Sequence, residues 1–425
     1  MNTARIHKLF LESSGICTDT RGIKSNNLFF ALKGDNFNGN MYAQQAIKNG
    51  ASYAIIDDEK FVVSEKYVLV NDVLKTLQDL ATYHRKFLNI PIIALTGSNG
   101  KTTTKELINC VLSSIYNTTA TAGNLNNHIG VPLTLLSMNK STEIGIVEMG
   151  ANHIKEIEFL CNIACPDFGY ITNIGKAHIE GFGSLEGVLQ GKTELYQYLK
   201  KHNNLIFLNT EDPKLSKASE GIDTFTFSQT LDSNTNVRLQ AVNPMVSVNY
   251  NDTIISSHLI GSYNFTNIAA AIAIGHYFKI NSKQIKAAIE SYIPSNNRSQ
   301  IIKKNKSTII LDAYNANPSS MSAAISNFQE LAYKSKIVFL GDMFELGYTA
   351  PEEHQRIVDQ LTQTSCDTIY LIGKNFFDTL TEDTRILKYK SFEDLKENKL
   401  LEKIQGAILI KGSRGMKLER ILDLI

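Results

Sequence analysis

Residues 92–103 read Ile92-Ile93-Ala94-Leu95-Thr96-Gly97-Ser98-Asn99-Gly100-Lys101-Thr102-Thr103. Four apolar residues, a loop with two glycines and an amphipathic pattern beginning at Lys101 predict a strand, a tight loop and a helix N-terminus. That order makes a phosphate cradle. Glycines let backbone N–H groups turn toward one anion, and the helix dipole adds partial positive charge. Lys101 reaches the outer phosphates and the Thr102 hydroxyl is offered to Mg²⁺. The loop is shorter than the usual P-loop, which has a glycine six residues before its lysine, where this chain has Leu95. The flanks carry the reading: Thr96, Gly97, Ser98, Asn99, Gly100, Lys101, Thr102 and Thr103 are expected to hold a nucleoside triphosphate.

Working outward, Asn89-Ile90-Pro91 punctuates the chain before the loop strand. Residues 1–88 read as a small α/β unit, with apolar runs at 28–32, 53–56 and 67–70 and a helical pattern over 73–87. Beyond the loop the pattern alternates: helix 101–115, strands 144–149 and 168–174, helix 185–199, strand 205–208. Such alternation predicts a mostly parallel sheet with helices on both faces. The stretch 228–257 has the alternation of antiparallel strands. Helices 264–278 and 282–291 then lead to a turn at 294–297 that closes a central unit, 89–297. A second α/β rhythm fills 298–425, with strands at 308–311, 337–340, 368–372 and 407–410. The expectation is an α/β fold in three domains. These are a small N-terminal one, a central P-loop one and a C-terminal Rossmann-like one. Ligands of open parallel sheets sit at the carboxyl ends of strands, so the residues following each strand are the site candidates.

Composition narrows the function classes. In 425 residues, 43 Lys and Arg face 42 Asp and Glu, a net charge of +1. No global basic field recruits nucleic acid or an anionic membrane. Five cysteines and the lack of an apolar run after Met1–Lys8 suggest reduced thiols in the cytoplasm. Cys161 and Cys165 have no second Cys or His pair to complete a zinc site. No apolar run approaches the roughly 18–20 residues that span a bilayer. The charge runs 303–306 and 393–403 read as solvated faces.

Several strand ends carry chemistry. Glu148 closes the strand beside the loop, where an acid helps hold a metal that bridges phosphate oxygens. His178 follows strand 168–174 in a glycine-rich stretch. Asp312 ends another strand, followed by Tyr314, Asn315 and Asn317: an acceptor for ribose hydroxyls, a flat ring and two amides that donate and accept. Asn315-Ala316-Asn317-Pro318 also reads as a turn and helix cap. Gly341-Asp342-Met343 and Lys411-Gly412-Ser413-Arg414-Gly415 end two further strands.

In order along the chain, these segments resemble the Mur ligase family. The N-terminal part is similar in Thr18-Asp19-Thr20-Arg21 and Asn27–Gly34. The central part is similar in Thr96–Glu106, Gly123–Pro132, Glu148–Ala151 and Ala177–Gly187. The C-terminal part is similar in Asp312–Met321, Gly341–Gly347 and Lys411–Glu419. The resemblance implies an ATP-dependent ligase with an acyl-phosphate intermediate, and, from the form of Asp312–Met321, one that joins D-alanyl-D-alanine to UDP-N-acetylmuramoyl-tripeptide. It implies a UDP-sugar-binding role for 1–88, ATP binding for 89–297, and contacts to ATP and the incoming dipeptide for 298–425. Lys101, Glu148, His178 and Lys192 would be catalytic, and Thr102, Glu148, His178 and Lys192 would serve two Mg²⁺ ions. Lys192, on its own a solvated helix lysine, would do so as a carbamate. Asn264, Asn267, Arg298 and Asp312 would contact ATP, and Thr20, Arg21, Asn124, Asn127, Tyr314, Asn315 and Asn317 the other substrates. Tyr263 stands where many members have His, and Phe37-Asn38-Gly39-Asn40 replaces a frequent Asp-Gly-His pattern. A monomer is expected. The alternatives are another Mur-type amino acid ligase, although the Asp-Asn-Pro-Arg motif of the member that adds the third residue is absent, and a folylpolyglutamate synthase-like ligase. A nucleotide-gated binding module without ligase activity is a third.

Overall fold

A computed structural model describes residues 2–295, 297–397, 401 and 404–425. Of the expected turn at 294–297, Asn296 lies outside the described residues, as do 398–400 and 402–403 of the charge run 393–403. The centre is a seven-stranded, all-parallel sheet. Its spatial order is Thr235–Asn236, Thr224–Ser228, Leu205–Asn209, Phe168–Ile171, Ile92–Thr96, Ile144–Glu148, Thr118–Ala120. The loop strand therefore lies between Phe168–Ile171 and Ile144–Glu148, and the crevice at their carboxyl ends is where a ligand fits such a sheet.

All five residues of Ile92–Thr96 are buried, as a parallel strand covered on both faces requires. Alternate side chains enter opposite cores. Ile92 and Ala94 pack with Leu77, Leu80, Leu160, Val188 and Leu195. Ile93 and Leu95 pack with Leu107, Ile108, Val111, Ile268 and Ile272. Helix Val73–Leu88 adds its apolar stripe to the first core together with Ile6, Phe10 and Leu28, so the N-terminal segment and the central sheet share one core. Asp72 caps that helix by accepting from Lys75 N–H, a bond of the kind worth about 1 kcal/mol. Helix Asn264–Tyr277 is apolar on nearly all sides and is buried along most of its length.

The N-terminal sheet has four parallel strands, Ile16–Cys17, Leu28–Phe30, Tyr53–Ile56 and Tyr67–Leu69. The expected antiparallel stretch forms a separate three-stranded sheet, Arg238–Ala241, Met245–Tyr250 and Thr253–Ile260. The C-terminal sheet runs Gln300–Lys304, Ser307–Asp312, Ala407–Lys411, Lys336–Gly341, Thr368–Ile372, Ile386–Tyr389. Its first pair is antiparallel and the rest parallel. Strand Phe168–Ile171 stops three residues earlier than expected because Thr172–Gly175 turn aside to bond the phosphate loop. Helices Gly130–Ser137, Glu156–Ala164, Pro318–Glu330 and Ala350–Thr362 were not among the elements expected from the sequence. Among the described residues no helix is long and apolar enough to cross a membrane.

Candidate active site between the central and C-terminal sheets

The loop after Ile92–Thr96 is held from beneath. Thr172 Oγ1 donates to Asn99 O (2.6 Å), Asn173 Oδ1 accepts from Asn99 N–H (3.1 Å), and Ser98 Oγ donates to Gly175 O (3.0 Å). Thr96 Oγ1 donates to Met149 O, tying the loop strand to the end of the Glu148 strand. Gly97 has φ +140°, and a Cβ there would lie 2.0 Å from Thr172 Oγ1. Gly100, at φ +79°, would place a Cβ 2.6 Å from Asn267 Oδ1. Both positions accept only glycine. Gly100 caps helix Lys101–Leu112 with no side-chain acceptor, which leaves the first helical N–H groups to an anion.

These features open into a cavity of about 820 Å³. It is lined from the central sheet by Ser98, Asn99, Gly100, Lys101, Thr102, Thr103, Asn124, Asn127, Glu148, His178, Asn264 and Asn267. From the C-terminal sheet it is lined by Arg298, Asp312, Tyr314, Asn315 and Asn317. Thr96 and Gly97 lie just behind it. Asn317 Nδ2 donates to Asn99 Oδ1 (2.7 Å), joining the two sheets at the loop itself. Thr20 and Arg21 are not part of this cavity; Arg21 is exposed and paired with Asp19.

Lys101 bends back, its Nζ donating to Gly97 O (2.7 Å) and Ser98 O (3.3 Å). Burial lowers its pKa, opposed by Glu148 and reinforced by the positive charge of Arg298. Glu148 accepts from Asn126 Nδ2 through Oε1 (2.8 Å), while its Oε2 is buried with no hydrogen-bond partner. An orphaned carboxylate oxygen is costly unless something fills its lone pairs. Among the described residues no three His, Cys, Asp or Glu side chains group around a metal. The donors at hand, a carboxylate and the Thr102 hydroxyl beside a phosphate cradle, fit Mg²⁺, which takes one or two protein oxygens and completes its shell with phosphate and water.

Lys192 is not a solvated lysine. It is wholly buried behind the cavity, donates to Ala151 O (2.9 Å) and lies 5.1 Å from the centre of the Phe182 ring. Burial, with the positive charge of Lys101 nearby, drives its pKa well down. Asn264 and Asn267 form a buried chain: Thr104 Oγ1 donates to Asn267 Oδ1, Asn267 Nδ2 to Asn264 Oδ1, and Asn264 Nδ2 to Ile260 O. They therefore brace the phosphate-loop helix as well as line the cavity. The Tyr314 ring is covered by the Arg298 guanidinium at 3.7 Å. Asp312 accepts from Lys411 Nζ (2.5 Å) and Ser299 N–H (3.1 Å), and the Tyr263 hydroxyl meets Ser299 Oγ at 3.2 Å.

Sequence reasoning missed Asn126, Asn173 and Glu345 and gave Lys411 no role, although all four line the cavity. Asn173 could have been found as a polar residue just past a strand end. Lys411 closes an apolar strand, and that position was its signal.

Comparison with known proteins agrees with this geometry. Family profiles described as the Mur ligase middle domain, the Mur ligase glutamate ligase domain and the Mur ligase family catalytic domain match residues 95–275, 297–414 and 12–90. The UDP-N-acetylmuramoyl-tripeptide–D-alanyl-D-alanine ligase of Bacillus subtilis is 35% identical over 97% of this chain and 93% of its own. A crystal structure of MurF from Acinetobacter baumannii superposes with a TM-score of 0.86 at 28% identity, covering 96% of this chain and 92% of that one. MurF from Thermotoga maritima in complex with ADP gives 0.84 at 25% identity, covering 98% and 97%. The chain belongs to the Mur ligase family.

Proposed function

We propose that this protein is an ATP-dependent ligase that joins D-alanyl-D-alanine to UDP-N-acetylmuramoyl-tripeptide, releasing ADP and phosphate, in the making of peptidoglycan precursors. The observation that carries the reading is the shared cavity: a phosphate loop from one sheet and Asp312, Tyr314 and Asn317 from another face the same space, with Asn99 bonded to Asn317. The ligand-bound relative from Thermotoga maritima, solved with ADP, supports the nucleotide half. In this reading 1–88 binds the UDP-sugar through a surface that includes Thr20 and Arg21, 89–297 holds ATP, and 298–425 completes the ATP site and receives the dipeptide.

A carboxylate does not acylate an amine directly, because the leaving group would be oxide. An oxygen of the tripeptide's terminal carboxylate attacks the γ-phosphorus of ATP, the bond from that phosphorus to the β-bridging oxygen breaks, and ADP leaves. The free amine of D-alanyl-D-alanine then attacks the acyl phosphate carbonyl. Phosphate departs with its bridging oxygen and the amine loses a proton. The loop amides and Lys101 orient the triphosphate and stabilise its charge. Asn124 and Asn127 flank the carboxylate end, while Asn315 and Asn317 face it from the other sheet. Mg²⁺, held by Thr102 and Glu148 with a second ion near His178, would neutralise the phosphate charge. A neutral Lys192 amine is the form that adds CO₂, giving a carbamate and a proton, and that carbamate would supply oxygen to the second ion. Alignment of the acyl phosphate and the amine in one cavity is worth up to about 7–11 kcal/mol.

The proposal places the enzyme in the cytoplasm, where its five free cysteines stay reduced. In this reading the protein works as a monomer. The test supplies ATP, Mg²⁺ and UDP-N-acetylmuramoyl-tripeptide with D-alanyl-D-alanine, with D-alanine alone, or with no amine. Phosphate release matched one-to-one by a product heavier by the dipeptide less one water is expected only with the dipeptide. Equal turnover with single amino acids, or none with the dipeptide, would refute the reading.

A further inference from the structure

The segment Gly341-Asp342-Met343-Phe344-Glu345-Leu346-Gly347 follows a strand of the C-terminal sheet, yet the chemistry above gives it no task. Its backbone is firmly held. Met343 N–H donates to His354 Nε2 (3.0 Å), whose ring is wholly buried, and Phe344 N–H donates to Ser413 Oγ (2.9 Å). The loop so fixed presents Glu345 in a left-handed conformation, φ +61°, which side-chain-bearing residues adopt rarely. Opposite it, on the central unit, His178 is also left-handed, φ +54°. Such backbone persists where surrounding contacts over-determine it and concentrates at functional sites.

The two side chains meet. Among the described residues His178 Nδ1 is buried and makes no hydrogen bond, but it lies in ion-pair contact with Glu345 Oε2. The rest of the 175–183 loop is pinned from the same side. Lys176 N–H donates to Ser319 Oγ (3.0 Å), Lys176 Nζ pairs with Glu353 Oε1 (2.6 Å), and Glu180 N–H reaches Glu345 O (3.4 Å).

We propose that Glu345 is a positioning residue: it reaches from the C-terminal sheet to fix the His178 ring in the shared cavity with the proton on Nδ1. Nε2 is then left with its lone pair, the form able to accept a bond. The histidine is thereby completed by the partner sheet, so the cavity is competent only when both units are in place. This rests on the ligase reading for His178's role in turnover, but the ring geometry itself does not.

The test has two arms. In the nucleotide-free protein, ¹⁵N spectra of the His178 ring should show Nδ1 protonated, and Glu345→Ala should move the ring toward the Nε2-protonated tautomer. In the ligase assay, Glu345→Ala should lower kcat about 10–100-fold with little change in KM for the nucleotide sugar. In a His178→Ala background the same substitution should cost less than about twofold, because a residue acting only through His178 has nothing left to position. Glu345→Met, of similar length but with no strong acceptor, replaces the alanine variant if that one does not fold, with the same expectations. An unchanged ring tautomer, or losses that multiply independently in the double variant, would overturn the proposal. If the wild-type protein makes no product, the ligase reading fails while the spectra still decide the positioning of His178.

Discussion

Lys192→Met asks whether the most deeply buried amine of the site is neutral. Methionine keeps the volume and removes the titrating group. The lysine amine has one carbonyl partner, Ala151 O, and no carboxylate bonded to it. Burial and the Lys101 charge hold its pKa well below the ordinary 10.5. The sign follows from proton counting. Below pH 10.5 the unfolded chain binds the lysine proton while the folded chain does not, so folding releases a proton and stability rises with pH down to wherever the buried amine ionises. The slope approaches about 1.4 kcal/mol per pH unit between the lowered pKa of the buried amine and 10.5, so the wild type should gain stability over the variant as the pH rises through that range. A pH-independent loss of about 1–3 kcal/mol is expected from leaving Ala151 O without its donor. The assay is urea unfolding of both proteins across that range in CO₂-free buffer, since a carbamate would not titrate there. Parallel stability curves would refute the account of a neutral buried amine.

Three further substitutions test other parts of the site. Gly100→Ala forces a side chain into left-handed backbone and against Asn267. It should destabilise by about 2–3 kcal/mol in urea; a change under about 0.5 kcal/mol would contradict the packing described. Lys411→Met leaves the Asp312 carboxylate, only 17% exposed, without its partner. It should cost about 3 kcal/mol, and Asp312→Asn in the same chain should recover at least half; additive losses would argue against the pair. Tyr314→Leu removes the ring under Arg298 and should raise the KM for ATP roughly two- to thirtyfold, whereas an unchanged KM would detach that stack from the nucleotide.

The phosphate loop, its strand and the alternating central pattern were legible because they rest on local rules: two glycines that need positive φ, a helix start, and short continuous apolar runs between helical patterns. Lys192 was not, although a signal existed. It falls four residues after Val188 and three before Leu195, on the buried face of helix Leu185–Lys201, and a polar residue in that register deserves a second reading. Asn264 and Asn267 were placed at the site, but their bracing of the phosphate-loop helix depends on Thr104, about 160 residues away in the chain. The Arg298–Tyr314 stack and the His178–Glu345 contact join segments by tertiary folding, which no spacing encodes. Helix Gly130–Ser137 escaped because its buried residues surround it and erase the 3.6-residue period.

The central claim is that the tripeptide carboxylate is activated by phosphorylation in this cavity. Labelling both oxygens of that carboxylate with ¹⁸O and analysing the phosphate released during ligation tests it directly. An acyl phosphate must hand one labelled oxygen to each phosphate that leaves with product formation. Unlabelled phosphate accompanying the ligated product would contradict the account.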